Sequence, residues 1–115
     1  MTEPLRDRLR AALPVALKAR DRATASTLRS TLAAIENAEA VDAGSVRAGA
    51  VEASAVGIGV AEAERRVLTE DDVVAIVRAE IAGQERAAEV YEASGRSDKA
   101  AELRSAAEAL AAFLE

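Results

Sequence analysis

The sequence predicts an all-α fold, a small bundle of about four helices, and two observations carry that prediction. Apolar residues recur at three- and four-residue spacings through four separate stretches, the period of a helix with one buried face. Helix start and stop signals also stand where those stretches need them, chiefly Thr69 with Asp72 and Gly95 after Ser94.

The first stretch runs from Thr2 to about Arg20. Thr2 or Glu3 can serve as its N-cap, with Pro4 in the first turn, where a missing N–H costs nothing. Leu5, Leu9, Leu13 and Leu17 then recur every four residues beside Ala12 and Ala16, which gives an inward stripe. Pro14 interrupts it, because in mid-helix it removes a hydrogen bond and crowds the Arg10 carbonyl at about 3 kcal/mol. A kink at Pro14 is expected, or a helix boundary that places Pro14 in a first turn.

Asp21 can cap a second helix reaching about Glu39, with Leu28, Leu32 and Ile35 on its inner face. Lys18, Arg20, Arg22 and Arg29 form a basic cluster beside that stripe. Arg22 and Arg29 are one heptad apart and so share a helix face, with Ser26 between them. Such a face suits an anion or a phosphate backbone; the plainer alternative is an ordinary solvated basic face.

Residues 40–67 change character, since Gly44, Gly49, Gly57 and Gly59 fall there among alanine, valine and serine. A flexible or irregular connector is expected between the second and third helices. Its Val56-Gly-Ile-Gly-Val60 run lacks the Gly-Lys-Ser/Thr ending of a phosphate-cradling loop.

Thr69 restarts order as an N-cap, with Asp72 at the capping-box position and Glu70 and Asp71 favourable at the positive helix end. Val73, Val77, Ile81, Ala88 and Tyr91 supply the inner face of this third helix, Val74 and Ile76 widen it, and Gly83 is a weak point. Gly95 ends it. Glu85, Glu89 and Glu92 share a face near Arg86, a pattern that reads as a solvated surface rather than a cation site. Ser97 or Asp98 can cap the last helix, whose stripe is Leu103, Ala106 or Ala107, Leu110, Phe113 and Leu114. A sequence that closes on its most hydrophobic turn implies that this turn packs onto the bundle, or that a longer ancestor continued there.

With 115 residues the chain is read as one domain, residues 1–115. Alanine dominates the apolar half of the composition and the aromatics are Tyr91 and Phe113 alone, so a modest core is expected, helped by self-association. Cysteine and histidine are absent, which removes disulfides, thiol nucleophiles, imidazole bases and the commonest zinc ligands. No cofactor, metal site or catalytic residue is expected. The first residues are charged from Glu3 onward and no run of 18 apolar residues occurs, so the expected location is cytoplasmic, without a membrane. The net charge of −5 is unevenly spread: residues 1–30 carry +4, residues 31–68 carry −3 and residues 69–115 carry −6. A basic first third can approach phosphates, or can pair with the acidic remainder inside the fold.

Three pieces stand in order: Lys18-Ala-Arg-Asp-Arg22 with Thr27-Leu-Arg-Ser-Thr-Leu-Ala-Ala-Ile-Glu-Asn37, then Leu68-Thr-Glu-Asp-Asp-Val-Val-Ala-Ile-Val77, then Tyr91-Glu-Ala-Ser-Gly-Arg-Ser-Asp98. Together they resemble the N-terminal helical part of the GatB/YqeY family, over most of the chain except residues 40–67. The resemblance implies an all-α bundle related to the tail domain of the B subunit of the glutamyl/aspartyl-tRNA amidotransferase and to a domain appended to some glutaminyl-tRNA synthetases. It implies a non-catalytic accessory that contacts tRNA, with amide-transfer chemistry housed elsewhere. A label of carbon–nitrogen ligase with glutamine as amido donor would follow from the family name, not from residues of this chain. The sequence departs from the family pattern at Pro14, where an unbranched apolar residue is usual, at Gln84, where a basic one is, and at Ala87, where a small polar one is. Phe113-Leu114 resembles the start of the family's Tyr-Leu-Pro turn into a second small domain.

The expected function is therefore assistance in tRNA or aminoacyl-tRNA metabolism, with Lys18, Arg20, Arg22 and Arg29 as phosphate contacts that position a nucleic acid without reading its bases. The alternative is a protein-interaction module that docks on a synthetase, on an amidotransferase or on itself through apolar helix faces.

Overall fold

Four α-helices carry most of the described chain: α1 (Leu5–Lys18), α2 (Arg22–Ala50), α3 (Glu70–Ala93) and α4 (Ser97–Ala111), the last followed by a single 3₁₀ turn, Ala112–Leu114. The computed structural model describes the backbone of residues 3–50 and 67–115 and the side chains of 3–40 and 67–115. No strand occurs among the described residues, and the all-α bundle expected from the periodicity is what forms.

Pro4, not Thr2 or Glu3, holds the N-cap position of α1, and its carbonyl accepts the N–H groups of Asp7 and Arg8 at 3.0 and 3.1 Å. Thr2 lies outside the described residues. Pro4 offers no side-chain cap, and the open Leu5 N–H donates instead to Glu70 Oε2, 2.9 Å away on the first residue of α3. One helix start is thus satisfied by another, which ties α1 to α3 at a sequence separation of 65.

The helix continues through Pro14 to Lys18, so Pro14 does not mark a boundary. Pro14 and Arg10 both lie on the exposed side, where water can reach the Arg10 carbonyl that the ring leaves without a donor. Leu5 and Leu9 are fully buried, Leu13 is half-buried, but Leu17 is 46% exposed. A strict four-residue repeat explains this, because each step overshoots the 3.6-residue turn by about 40°. After three steps Leu17 has rotated about 120° from Leu5, and Ala16 is buried in its place.

Asp21 caps α2 as expected, its Oδ1 accepting the Thr24 N–H at 3.2 Å. Ala25, Leu28 and Ile35 are buried, with Leu32 packed beside them. Thr27 and Thr31 are buried on the same helix, and the Thr31 hydroxyl is satisfied by donating to the Thr27 carbonyl at 2.7 Å. Helix α2 runs on to Ala50 instead of ending near Glu39. Residues 40–50 hold Gly44 and Gly49 against five strong helix formers, four alanines and Arg47, and about 1 kcal/mol per glycine does not stop a helix already propagating. The expected connector loses its first third to α2; its residues 51–66, with the Val56–Val60 run, lie outside the described residues.

Helix α3 opens with the full capping box: Asp72 N–H donates to Thr69 Oγ1 at 3.1 Å and Thr69 N–H to Asp72 Oδ2 at 2.9 Å. It closes where Gly95, at φ 82°, donates to the Glu92 carbonyl while the Arg96 N–H reaches the Tyr91 carbonyl at 2.8 Å, the paired bonds of a Schellman ending. Arg96 then stands at the N-cap position of α4, so Ser97 and Asp98 occupy its first turn and do not cap it. Ala100, Ala106, Ala107 and Leu110 are buried on α4, and Ala88 faces them from α3 in the most extensive helix pairing of the bundle.

All four helices meet in one core built on Leu5, Leu9, Leu28, Ile35, Val73, Val77 and Leu110. The hydrophobic last turn packs onto it through Phe113 and Leu114, and Arg8 Nη1 fixes that turn by donating to the Phe113 carbonyl at 3.1 Å. Arg6 and Glu39, both about a fifth exposed, join α1 to α2 at 3.0 Å. No helix among the described residues is long and apolar enough to cross a membrane.

The two glycines of α3 and its end are expected to respond oppositely to alanine. At Gly83 an added methyl would meet only Arg86 Nη2, at an ordinary 3.8 Å, so Gly83→Ala is expected to stabilise by about 1 kcal/mol. At Gly95 the space is open but φ is positive, so Gly95→Ala is expected to destabilise by about 1 kcal/mol. Urea midpoints at unchanged m-value check both signs.

Candidate nucleic-acid interface

The basic cluster sits on the corner between α1 and α2. Lys18 is the last residue of α1, Ala19 and Arg20 form the turn, and Arg22 is the first residue of α2. The corner is held by the same paired bonds that end α3: Arg20 N–H donates to the Leu17 carbonyl at 3.1 Å and Asp21 N–H to the Ala16 carbonyl at 2.9 Å. The geometry demands a left-handed residue at the turn. In α3 that residue is Gly95; here it is Arg20, at φ 61°, the only non-glycine with positive φ among the described residues. A Cβ in that conformation costs about 1 kcal/mol relative to glycine, so the corner carries strain at the residue whose guanidinium it presents.

Lys18, Arg20, Arg22 and Arg29 are all exposed, and none of them makes an ion pair or a side-chain hydrogen bond with another described residue. Arg6, Arg10, Arg96 and Arg104, by contrast, each reach a carboxylate, while Arg78 and Arg86 of α3 are exposed and unpaired like the corner residues. Among the described residues, the basic first third pairs directly with the acidic remainder through Arg6 and Glu39, and no such pair reaches the corner.

Arg20 and Arg22 rim an open cleft of about 760 Å³, floored by Ser26 and Thr27 of α2 and by Gln84 of α3. Lys99, in the first turn of α4, closes the far side. Lys18 and Arg29 do not line the cleft; Arg29 lies two turns, about 10 Å, further along α2. The structure therefore brings together two of the four expected contacts and sets the others on the flanks.

Lys99 and Gln84 could not have been found from spacing, because each is placed by the packing of α3 and α4 against α2 and belongs to no pattern around the basic cluster. Lys99 lies 3.5 Å from Glu102, which also lines the cleft, and Asp21 contributes a second carboxylate that is already occupied in capping α2. The Asp98 carboxyl, next to Lys99, is held below the usual carboxylate range, first by the Lys99 backbone N–H and then by the Arg96 guanidinium. It is thus ionised at neutral pH. Three cations against two lining carboxylates leave a modest positive balance in the cleft itself, which Arg29 and Lys18 extend along its edges.

Elsewhere, Glu85, Glu89, Arg104 and Glu108 border a shallow groove between α3 and α4, and Arg104 Nη1 donates to Glu92 Oε1 at 3.2 Å. No group of three or more carboxylates that could hold a metal ion is assembled among the described residues. No protein-family model, curated protein or solved structure significantly matches the chain.

Because the corner uses arginine where its geometry favours glycine, Arg20→Gly is expected to raise the unfolding free energy by about 1 kcal/mol. Chemical denaturation measures this directly; an unchanged or lowered midpoint would show that the left-handed arginine carries no strain.

Proposed function

We propose that the α1–α2 corner is a phosphate-contacting surface for tRNA, in a non-catalytic accessory of the GatB/YqeY type that works in the cytoplasm on tRNA or aminoacyl-tRNA metabolism. The observation that carries this reading is the set of four exposed cations without ion-pair partners among the described residues, two of them rimming a cleft that Lys99 completes. Unpaired guanidinium groups on a rigid corner suit bidentate contact with phosphate oxygens, and their fixed spacing along α2 follows a backbone rather than a single ion. The family resemblance of the segments containing Lys18 to Asn37, Leu68 to Val77 and Tyr91 to Asp98 supplies the nucleic acid in question. An overall charge of −5 makes the binding local and salt-sensitive.

A second reading, docking on a synthetase, on an amidotransferase or on a second copy, is favoured by one feature. Leu17, 46% exposed, sits in a hollow beside Arg20 and Arg22, and Val15 on the same helix is 68% exposed. Apolar groups beside cations suit a protein partner with an acidic rim.

Labelled total tRNA titrated at low and moderate salt distinguishes the two readings. Saturable binding is expected, falling with a log–log salt slope of about −2 to −3 for three to four phosphate contacts. An Arg20→Glu/Arg22→Glu/Arg29→Glu variant is expected to bind at least about tenfold more weakly. Equal binding by both proteins, or none by the wild type, would remove tRNA from these residues; light scattering that finds a dimer lost in Leu17→Glu would then favour docking.

A further inference from the structure

Two surfaces carry charges that no other described residue answers. At the α1–α2 corner, Leu17, 46% exposed, shares a hollow with Arg20 and Arg22, whose guanidinium groups are unpaired. The second surface is the groove between α3 and α4, about 330 Å³ in volume, where Glu85, Glu89 and Glu108 stand around Ala107 and Ala111. None of these three exposed carboxylates makes an ion pair or a side-chain hydrogen bond among the described residues. Arg104 lines the groove too, but it is engaged with Glu92, so the groove stays acidic. Arg86, exposed on α3, does not line it, and the exposed, unpaired Glu36 and Asp71 stand outside it.

Neither surface suits its own kind. Corner against corner brings arginines together, groove against groove brings glutamates together, and like charges across an interface cost affinity. A nucleic acid accounts for the corner alone, because the groove repels phosphate. Corner against groove satisfies both, since exposed arginines meet exposed carboxylates in the bidentate geometry that suits them. The apolar parts match as well. Alanines at 107 and 111 leave the groove without side-chain bulk, and its volume is ample for one aliphatic side chain, given that an apolar cavity of roughly 150 Å³ takes a benzene. Leu17 is the aliphatic group standing beside the two arginines. The two charge sets make no pair within one copy, which leaves both free for a neighbouring one.

We propose that the corner of one copy docks into the α3–α4 groove of a second copy of this chain, Leu17 seated over Ala107 and Ala111 and Arg20 and Arg22 set against Glu85, Glu89 and Glu108. This contact rests on the docking reading of the corner and names its partner. It is head-to-tail, so every docked copy still offers a free corner or a free groove, and assembly grows as a row or closes as a ring. A second copy and a phosphate backbone then compete for the same arginines.

Sedimentation velocity without nucleic acid tests it, on wild type, Leu17→Glu, and Glu85→Gln/Glu89→Gln/Glu108→Gln. All four positions are exposed, and unchanged helical circular dichroism ties any loss to the contact. The wild type's average mass is expected to rise with concentration up to about 1 mM, as for a small interface, and to fall when salt is raised to about 0.5 M. Each variant alone is expected to associate at least about tenfold more weakly. An equimolar mixture of the two variants is expected to form a one-to-one complex and nothing larger, because it pairs one intact corner with one intact groove.

A wild type that stays monomeric throughout would overturn both this contact and docking on a second copy, and leaves the tRNA titration to stand by itself. Association lost in Leu17→Glu but kept in the glutamine variant would overturn the groove as partner while the docking reading survives. Association that both variants retain would overturn both. Failure of the mixed variants to pair would overturn the head-to-tail arrangement.

Discussion

At Arg20 the chain turns left-handed, and that single φ of 61° lets two amides reach back to close α1 while Asp21 turns forward to open α2. The direction of α2 against α1 follows from it, and so does the placement of Arg20, Arg22 and Arg29. A glycine would make the same turn with less strain, as Gly95 does at the end of α3. The comparison between the two corners, with identical hydrogen-bond patterns and different residues, is internal to the molecule. It separates what the fold needs, a left-handed residue, from what the surface gains, an arginine at the corner.

The rest of the bundle shows how a core short of large side chains is closed. Alanine fills the facing positions of α3 and α4 at Ala88, Ala100, Ala106 and Ala107, which lets the two helices approach closely but buries little area per residue. Directional contacts then locate α1, which has few large groups of its own beyond Leu5 and Leu9. The Leu5 N–H on Glu70, the Arg6–Glu39 pair and Arg8 on the Phe113 carbonyl all lie along its first two turns. Each of these joins α1 to a different partner, so its position is defined in three directions at once.

Local chemistry was readable in the sequence at three helix ends, whereas the caps expected at Thr2 or Glu3 and at Ser97 or Asp98 gave way to Pro4 and Arg96. The Thr69 capping box, the Gly95 ending and the Asp21 cap depend on residues no more than a few positions apart, and each forms as its pattern implies. Cumulative geometry was harder. The leucine repeat of α1 holds for two turns and then drifts off the buried face, so Leu17 belongs to the surface. The reach of α2 to Ala50 depends on propagation from a helix already formed, which glycine counting undervalues. Tertiary convergence was not readable at all: Gln84 and Lys99 come to Arg20 and Arg22 only because α3 and α4 pack across the first turn of α2. Of the site, the sequence pattern marks the cations of the corner and misses the wall opposite them.

The alanine-lined pairing of α3 with α4 bears on how the molecule assembles. Three residues, Ser94 to Arg96, join these helices, whereas the contact of Leu5 with Glu70 spans 65 positions. Closing the longer loop costs on the order of 3 kcal/mol more in chain entropy. Pairing of α3 with α4 is thus the cheap, local step, and docking of the α1–α2 corner onto it the expensive, non-local one. The cleft has one wall from each unit. It exists only after the late step, and an occupant that grips both walls stabilises the docked state by mass action, so occupancy of the site and completion of the fold are one coupled equilibrium.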